Sequence, residues 1–207
     1  MLDFKFGISD FRKIARTLVA FANTDGGRLL IGVKDNGAIS GVRTDEEFFM
    51  VEGAARIYCR PEVPLKLKQW NVEGRIVLEA TILPGKHKPY RAKDESDRWI
   101  AYIRQRDENF RAGRVTLKLW DRQKKGEGTF VTFGHSERIL LQYLQGHPWI
   151  TVNRFQRMAG IGRDEAEDIL VDFIMLDILE SEYIEQDIIY RFREGYEKIL
   201  EDLDDAL

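Results

Sequence analysis

The chain has 207 residues, 43% hydrophobic and 32% charged, enough to bury one large core or two small ones. Its single cysteine, Cys59, excludes an internal disulfide framework and suits a reducing cytoplasm; no run approaches the ~18 apolar residues of a membrane span. The net charge of −3 is uneven: residues 1–128 hold 25 Lys and Arg against 18 Asp and Glu, and residues 129–207 hold 7 against 17.

The opening "MLDFKFG" lacks the basic-then-apolar order of a signal peptide, so a cytoplasmic location without a membrane partner is expected. "LDFKF" reads as a short strand. Ser9 is placed to cap a helix through about Ala22, with Phe11, Ile14, Ala15, Leu18 and Phe21 on one face. Gly26 or Gly27 offers the left-handed stop that ends it. "RLLIGV" is a buried strand, and Asn36-Gly37 marks a hairpin into a second strand, "AISGV". Thr44 and Glu47 form a capping box for a helix to about Cys59, which Pro61 and Pro64 close. "LKLKQWNV" and "RIVLEATIL", joined at Glu73-Gly74, read as a hairpin, and "WIAYIR" as a further strand. "RVTLKLWDRQ" fits helix or strand.

The glycine-rich "DRQKKGEGTFVTFG" reads as a connector. Beyond it come helices over Ser136–Gly146, Val152–Ala159 and Arg163 to about Ile178, then a hairpin around Gln186-Asp187. Three helices followed by a hairpin are the order of a winged helix-turn-helix. A last amphipathic helix presents Tyr196, Ile199, Leu200 and Leu203, a stripe that must pack on the winged helix or on a symmetry mate and so favours a homodimer over a monomer. The expected organisation is α+β, with a mixed α/β domain over 1–125, a winged helix over 126–193 and the terminal helix over 194–207.

Several chemistries find no support. The glycines of "FANTDGGRLLIGVKDNG" follow a helix and precede a strand, the reverse of a phosphate-binding P-loop, and no Gly-Lys-Ser/Thr exists. His87, His135 and His147 are scattered, without a second ligand at helical spacing. No nucleophile elbow occurs.

"LDFKF", "FANTDGGRLLIGVKDNGAISGV" and "KHKPYRAKDESDRWIAYIRQRDEN" together resemble the Schlafen/Alba-type DNA-binding domain family over roughly residues 1–115. The resemblance implies a nucleic-acid-binding protein, DNA or RNA, of the kind described as transcriptional regulators in bacteria; "ATP-binding" attaches to the family by name only. Bacterial members also carry a C-terminal winged helix. Some relatives cleave RNA with three carboxylates. The second matches Asp3 and the third Asp35, while the first would precede Met1. A metal-dependent endoribonuclease using Asp3 and Asp35 with Mg or Mn is therefore one alternative, and no cofactor is expected otherwise. Asp35 also fits a plain turn role, and Asp3 with Lys5 an ordinary strand edge. A protein-interaction module without nucleic acid is the second alternative.

The basic segment offers phosphate contacts from Lys86, Lys88, Arg91 and Lys93, with Tyr90 interleaved for stacking and Arg104 following. Lys5, Arg28 and Lys34 join this candidate set. Against it, the helix from Arg163 carries Asp164, Glu165, Glu167, Asp168, Asp172 and Asp177, a face that would repel phosphate. That favours assembly or regulation over DNA reading for the back unit.

Overall fold

A first strand, β1 (Leu2–Lys5), leads into helix α1 (Phe11–Asn23), whose buried positions Ile14, Ala15, Leu18, Val19 and Ala22 recur at helical spacing. The computed structural model describes residues 1–42, 46–126, 128, 134–185 and 187–196. The cap of α1 is Asp10 rather than Ser9: its backbone is extended and its side chain accepts from the Arg12 N–H at 2.8 Å. A carboxylate at this position satisfies an orphan donor and complements the helix dipole.

The chain turns at Gly26 (φ +74), where a Cβ would lie 2.6 Å from the Ile82 carbonyl oxygen, so only glycine fits. Strand β2 (Gly27–Ile31) then runs parallel to β1. After it, "AISGV" forms only the bridge Val33–Ile39; the Asn36 side chain closes this turn by accepting from the Ala38 N–H. Helix α2 (Glu46–Ile57) follows, its expected capping residue Thr44 lying outside the described residues. The short β3 (Cys59–Arg60) leads to the hairpin of β4 (Leu65–Val72) and β5 (Arg75–Ile82). Its Glu73-Gly74 turn has both φ values positive, at 52° and 77°, as a two-residue hairpin requires. Strands β6 (Arg91–Lys93), β7 (Trp99–Gln105) and β8 (Glu108–Arg111) complete this part.

Two sheets result, β1-β2-β5-β4 and β3-β6-β7-β8. Helix α1 packs on β6 and β7 and against α2, and Leu18, Phe21, Leu29, Ile31, Leu78 and Ile82 form the heart of the core. Each such large side chain contributes about 1.5–3 kcal/mol by leaving water. Cys59 lies in this core, where burial, with Glu62 nearby, pushes its thiol up to about 12.

The chain divides into two compact units, Met1–Ala112 and Gly113–Leu207. Helix α3 (Arg114–Lys125) is the segment that fitted helix or strand; it belongs to the second unit, whereas the sequence reading drew the division after residue 125. The second unit continues with α4 (His135–Gly146), β9 (Ile150–Thr151), α5 (Val152–Ala159), α6 (Arg163–Met175), β10 (Leu179–Ile184) and β11 (Asp187–Phe192). Thr151 caps α5 and Gly160 ends it in the left-handed conformation. The three strands pair in the order β10-β11-β9, and Leu140, Ile150, Phe155, Leu170 and Phe173 form the core. Tyr196 packs against it, but Ile199, Leu200 and Leu203 of the terminal stripe lie outside the described residues.

The protein is therefore of the α+β class. No helix among the described residues is long and apolar enough to cross a membrane.

Candidate nucleic-acid interface

The Asn of "FAN" ties the first unit together. Asn23 is 3% exposed. Its side-chain amide donates to the Tyr90 and Tyr102 carbonyls at 2.8 Å each and accepts from the Tyr90 N–H at 2.7 Å. One side chain thus fastens the end of α1 to β7 and to the residue before β6. Beside it, the Thr24 hydroxyl donates to the Ala20 carbonyl at 2.7 Å and accepts from the Arg104 N–H at 2.9 Å.

That network settles two expected nucleic-acid contacts. Tyr90 is only 5% exposed, with its ring over Gly85, so it cannot stack on a base. Arg104 is 4% exposed and points inward: it donates to Asn109 at 3.1 Å and to the Arg106 carbonyl at 3.2 Å, and it pairs with Asp3 at 3.5 Å. A buried guanidinium needs such partners and is lost to phosphate. Both assignments are corrected to structural roles.

The carboxylates of the nuclease alternative differ in setting. Asp3 faces Arg104 and Lys5, whose ammonium lies 3.2 Å away, and its side chain is mostly buried. In the strand register Asp3 is level with Leu29, while Asp35 lies beyond the end of β2 on the exposed Lys34–Gly37 turn. No group of three His, Cys, Asp or Glu able to hold a metal ion occurs among the described residues. Asp3 neutralises a buried arginine, a role that competes with metal ligation.

The other expected contacts are scattered. Arg28, Lys34, Lys86 and Arg91 are exposed, and Lys5 and Lys93 are half-buried. Lys88 is also half-buried and reaches the Thr24 carbonyl at 3.4 Å. Burial lowers its pKa, and the Asp25 charge acts in the opposite sense.

A coherent basic site lies where α1 meets β6, β7 and the turn between them. An open cleft of about 250 Å³ is lined by Arg12, Lys13, Arg16, Lys93, Arg98 and Arg111 together with Asp10, Asp94 and Glu95. Half of these cations are tied to the turn. Arg12 donates to the Asp94 carbonyl at 3.1 Å and pairs with Asp97 at 3.3 Å. Lys93 pairs with Asp97 at 3.1 Å and Arg98 with Asp94 at 2.9 Å. The Arg98 and Ser96 backbone N–H groups also donate to Asp94 and, with the Arg98 side chain, hold its carboxyl below the usual range. Hydrogen bonds from Lys93 and Arg12 do the same for Asp97.

Lys13, Arg16 and Arg111 have no ion-pair partner among the described residues, and all three are exposed. The Arg16 guanidinium sits 6.0 Å from the Tyr102 ring centroid. Cations in an open polar cleft, smaller than the about 300–1,000 Å³ of typical small-molecule pockets, suit a phosphate backbone better than an enclosed cofactor. Lys13 and Arg16 lie outside the basic segment that the sequence points to. Their signal was available: they fall on the polar side of α1, opposite Ile14, Leu18 and Phe21.

In the second unit four acids of α6, Asp164, Glu167, Asp168 and Asp172, have cationic partners on α3. Arg114 pairs with Asp164 and Glu167 at 3.1 Å each. Lys118 reaches Asp164 at 2.8 Å and Asp168 at 3.0 Å, and Arg122 pairs with Asp168 at 3.1 Å and with Asp172. The basic stripe of α3 therefore neutralises the face of α6 that the sequence reading presented to a partner. Asp177 is likewise paired with Arg193. Glu167 is 1% exposed: Arg163 donates to its Oε1 at 3.0 Å, while Oε2 has Arg114 and Lys118 as ion-pair neighbours at 3.1 and 3.7 Å but no hydrogen bond among the described residues.

Residues 1–113 match the family described as Schlafen, AlbA_2, and the chain belongs to that family. Among solved structures it is similar to the DIP2311 protein of Corynebacterium diphtheriae, with 20% identity, a TM-score of 0.45 and coverage of 62% of this chain and 28% of that one. It is also similar to a predicted DNA-binding transcriptional regulator from E. coli, with 20% identity, a TM-score of 0.31 and coverage of 46% and 100%. A third likeness is to the N-terminal domain of a RecG-related protein from Nitrosomonas europaea, with 21% identity, a TM-score of 0.35 and coverage of 52% and 81%. The chain thus spans little more than a quarter of the length of the Corynebacterium structure it matches. No curated protein matches it.

Proposed function

We propose that this protein binds nucleic acid through its first unit and acts as a transcriptional regulator. The observation that carries the reading is the open cleft at which Lys13, Arg16 and Arg111 stand without carboxylate partners among the described residues. Membership of the Schlafen, AlbA_2 family supports nucleic-acid binding in general terms. The helix, strand, helix, helix, hairpin order of α4 to β11 supports a winged helix as the second unit. There the exposed Arg154 and Arg157 of α5 offer a minor basic surface beside the regulatory role. Binding of this kind needs no metal or nucleotide cofactor.

Fluorescence anisotropy with labelled duplex DNA and structured RNA, repeated over a salt series, tests the reading. Affinity should fall steeply with salt as phosphate contacts release counterions. Absence of binding at low salt, or affinity indifferent to salt, overturns it.

A further inference from the structure

Sheet β1-β2-β5-β4 has two faces, and only one meets the core. Leu29, Ile31, Leu78, Ala80 and Ile82 point inward. By the two-residue period of a strand, the residues between them point outward. Pairing aligns these outward residues in rows across the sheet. One row is Leu2, Arg28, Thr81 and Lys66; the next is Phe4, Leu30, Glu79 and Lys68; Trp70 follows opposite Val77.

This face joins cations to an aromatic ring. Arg28, Lys66 and Lys68 are exposed, and Arg28 and Lys66 have no ion-pair partner among the described residues. The acid in these rows, Glu79, is engaged: it accepts from the Trp70 indole N–H at 2.6 Å and from the Thr81 hydroxyl at 3.2 Å. Trp70 is held by that bond along its edge and by the Lys68 ammonium, 3.5 Å from its ring centroid, yet it remains 43% exposed. An indole fixed in orientation and still open to solvent is preorganised for stacking, because little rotamer freedom is left to lose.

We propose that the outer face of this sheet binds single-stranded nucleic acid. An unpaired base stacks on Trp70 in place of the Lys68 ammonium, which turns to the backbone phosphates lying along Lys68, Lys66 and Arg28. The proposal rests on the nucleic-acid reading above and adds the form of the strand. Three cations beside one internally bonded carboxylate favour a polyanion, and an exposed indole favours one with free π-faces. Bases inside a duplex are already stacked on one another and offer Trp70 no such face.

The test uses the full chain with fluorescein-labelled oligothymidylate, oligouridylate and a DNA hairpin, read by anisotropy. Trp70→Ala should weaken the single strands about tenfold and leave the hairpin unchanged, whereas Trp70→Phe, which keeps a ring, should retain most of the affinity. Lys66→Glu with Lys68→Glu should weaken the single strands while thermal melting stays that of the parent. Single-strand binding untouched by Trp70→Ala but abolished by Lys13→Glu with Arg16→Glu overturns the sheet face and leaves the cleft. The opposite pattern overturns the cleft and leaves the sheet face. A parent chain that binds no strand overturns both.

Discussion

In the first unit Lys13, Arg16 and Arg111 stand at an open cleft, whereas in the second Arg114, Lys118 and Arg122 are tied to Asp164, Glu167, Asp168 and Asp172. Divided at the structural boundary, residues 1–112 hold 20 Lys and Arg against 16 Asp and Glu, and residues 113–207 hold 12 against 19. The basic excess of the front is thus smaller than the sequence division implied, because α3 folds with the acidic back. Net charge counts what a segment carries. Binding depends on which charges are left without a partner, and only the three-dimensional pairing reveals that.

The largest expected effect falls on the first unit alone. Asn23→Ala leaves the Tyr90 N–H and the Tyr90 and Tyr102 carbonyls buried without their partner, at a cost of about 3 kcal/mol. Chemical denaturation should show that loss in the first unit; a change below about 1 kcal/mol would mean that water or a backbone shift replaces the clamp.

Next in size is the cleft. Lys13→Glu with Arg16→Glu should lower low-salt affinity for nucleic acid by about tenfold or more without altering the melting profile. The contrast between the units fails if this pair matters no more than a reversal in α3. That reversal, Lys118→Glu, should lower the thermal midpoint of the second unit through its repulsion of Asp164 and Asp168. Nucleic-acid affinity should stay within about twofold of the parent. A large loss of binding would show that α3, not α1, carries the phosphate contacts.

The smallest effect is a pH dependence of the α3–α6 contact. The hydrogen bond from Lys118 holds the Asp164 pKa below its ordinary value, so its stabilisation is complete above that value and disappears as pH falls through the lowered one. For Lys118, burial alone would lower the pKa, but Asp164 and Asp168 outweigh it and raise it. Its contribution is therefore complete below the ordinary lysine value and is lost as pH rises through the raised one. Amide resonances of α3 should shift at both extremes and hold steady between them; a transition near neutral pH would contradict the pairing. In Asp164→Asn the acid limb should shrink.

The elements legible in the sequence were those with a local cause. Helical spacing from Ile14 to Phe21, the Glu73-Gly74 turn and the order of three helices and then a hairpin after residue 134 each translate directly into structure. The site was less legible. Reading Lys86 to Arg104 as a linear basic run ignores the alternation that turns Arg91 outward and Ala92 inward, and the pairing that buries Arg104 against Asp3. The same is true of α3: its cations were visible as composition, but their partners lie some fifty positions along the chain, on α6. Long-range pairing leaves no local mark in a sequence.

Cys59 lies at the base of the first core, 4% exposed, with its sulfur 3.8 Å from the Ala15 carbonyl oxygen. A thiol held at about 12 is almost entirely protonated at neutral pH, and the thiolate is the form that alkylates. Burial and the raised pKa both oppose alkylation, so Cys59 of the folded chain should react only slowly with maleimides. A cysteine introduced on the sheet face at Lys66, or on the polar side of α1 at Lys13, would be the reactive one. Dyes, spin labels or crosslinkers can then be attached at one chosen surface in the native background, and the two candidate surfaces can report separately on the same bound strand.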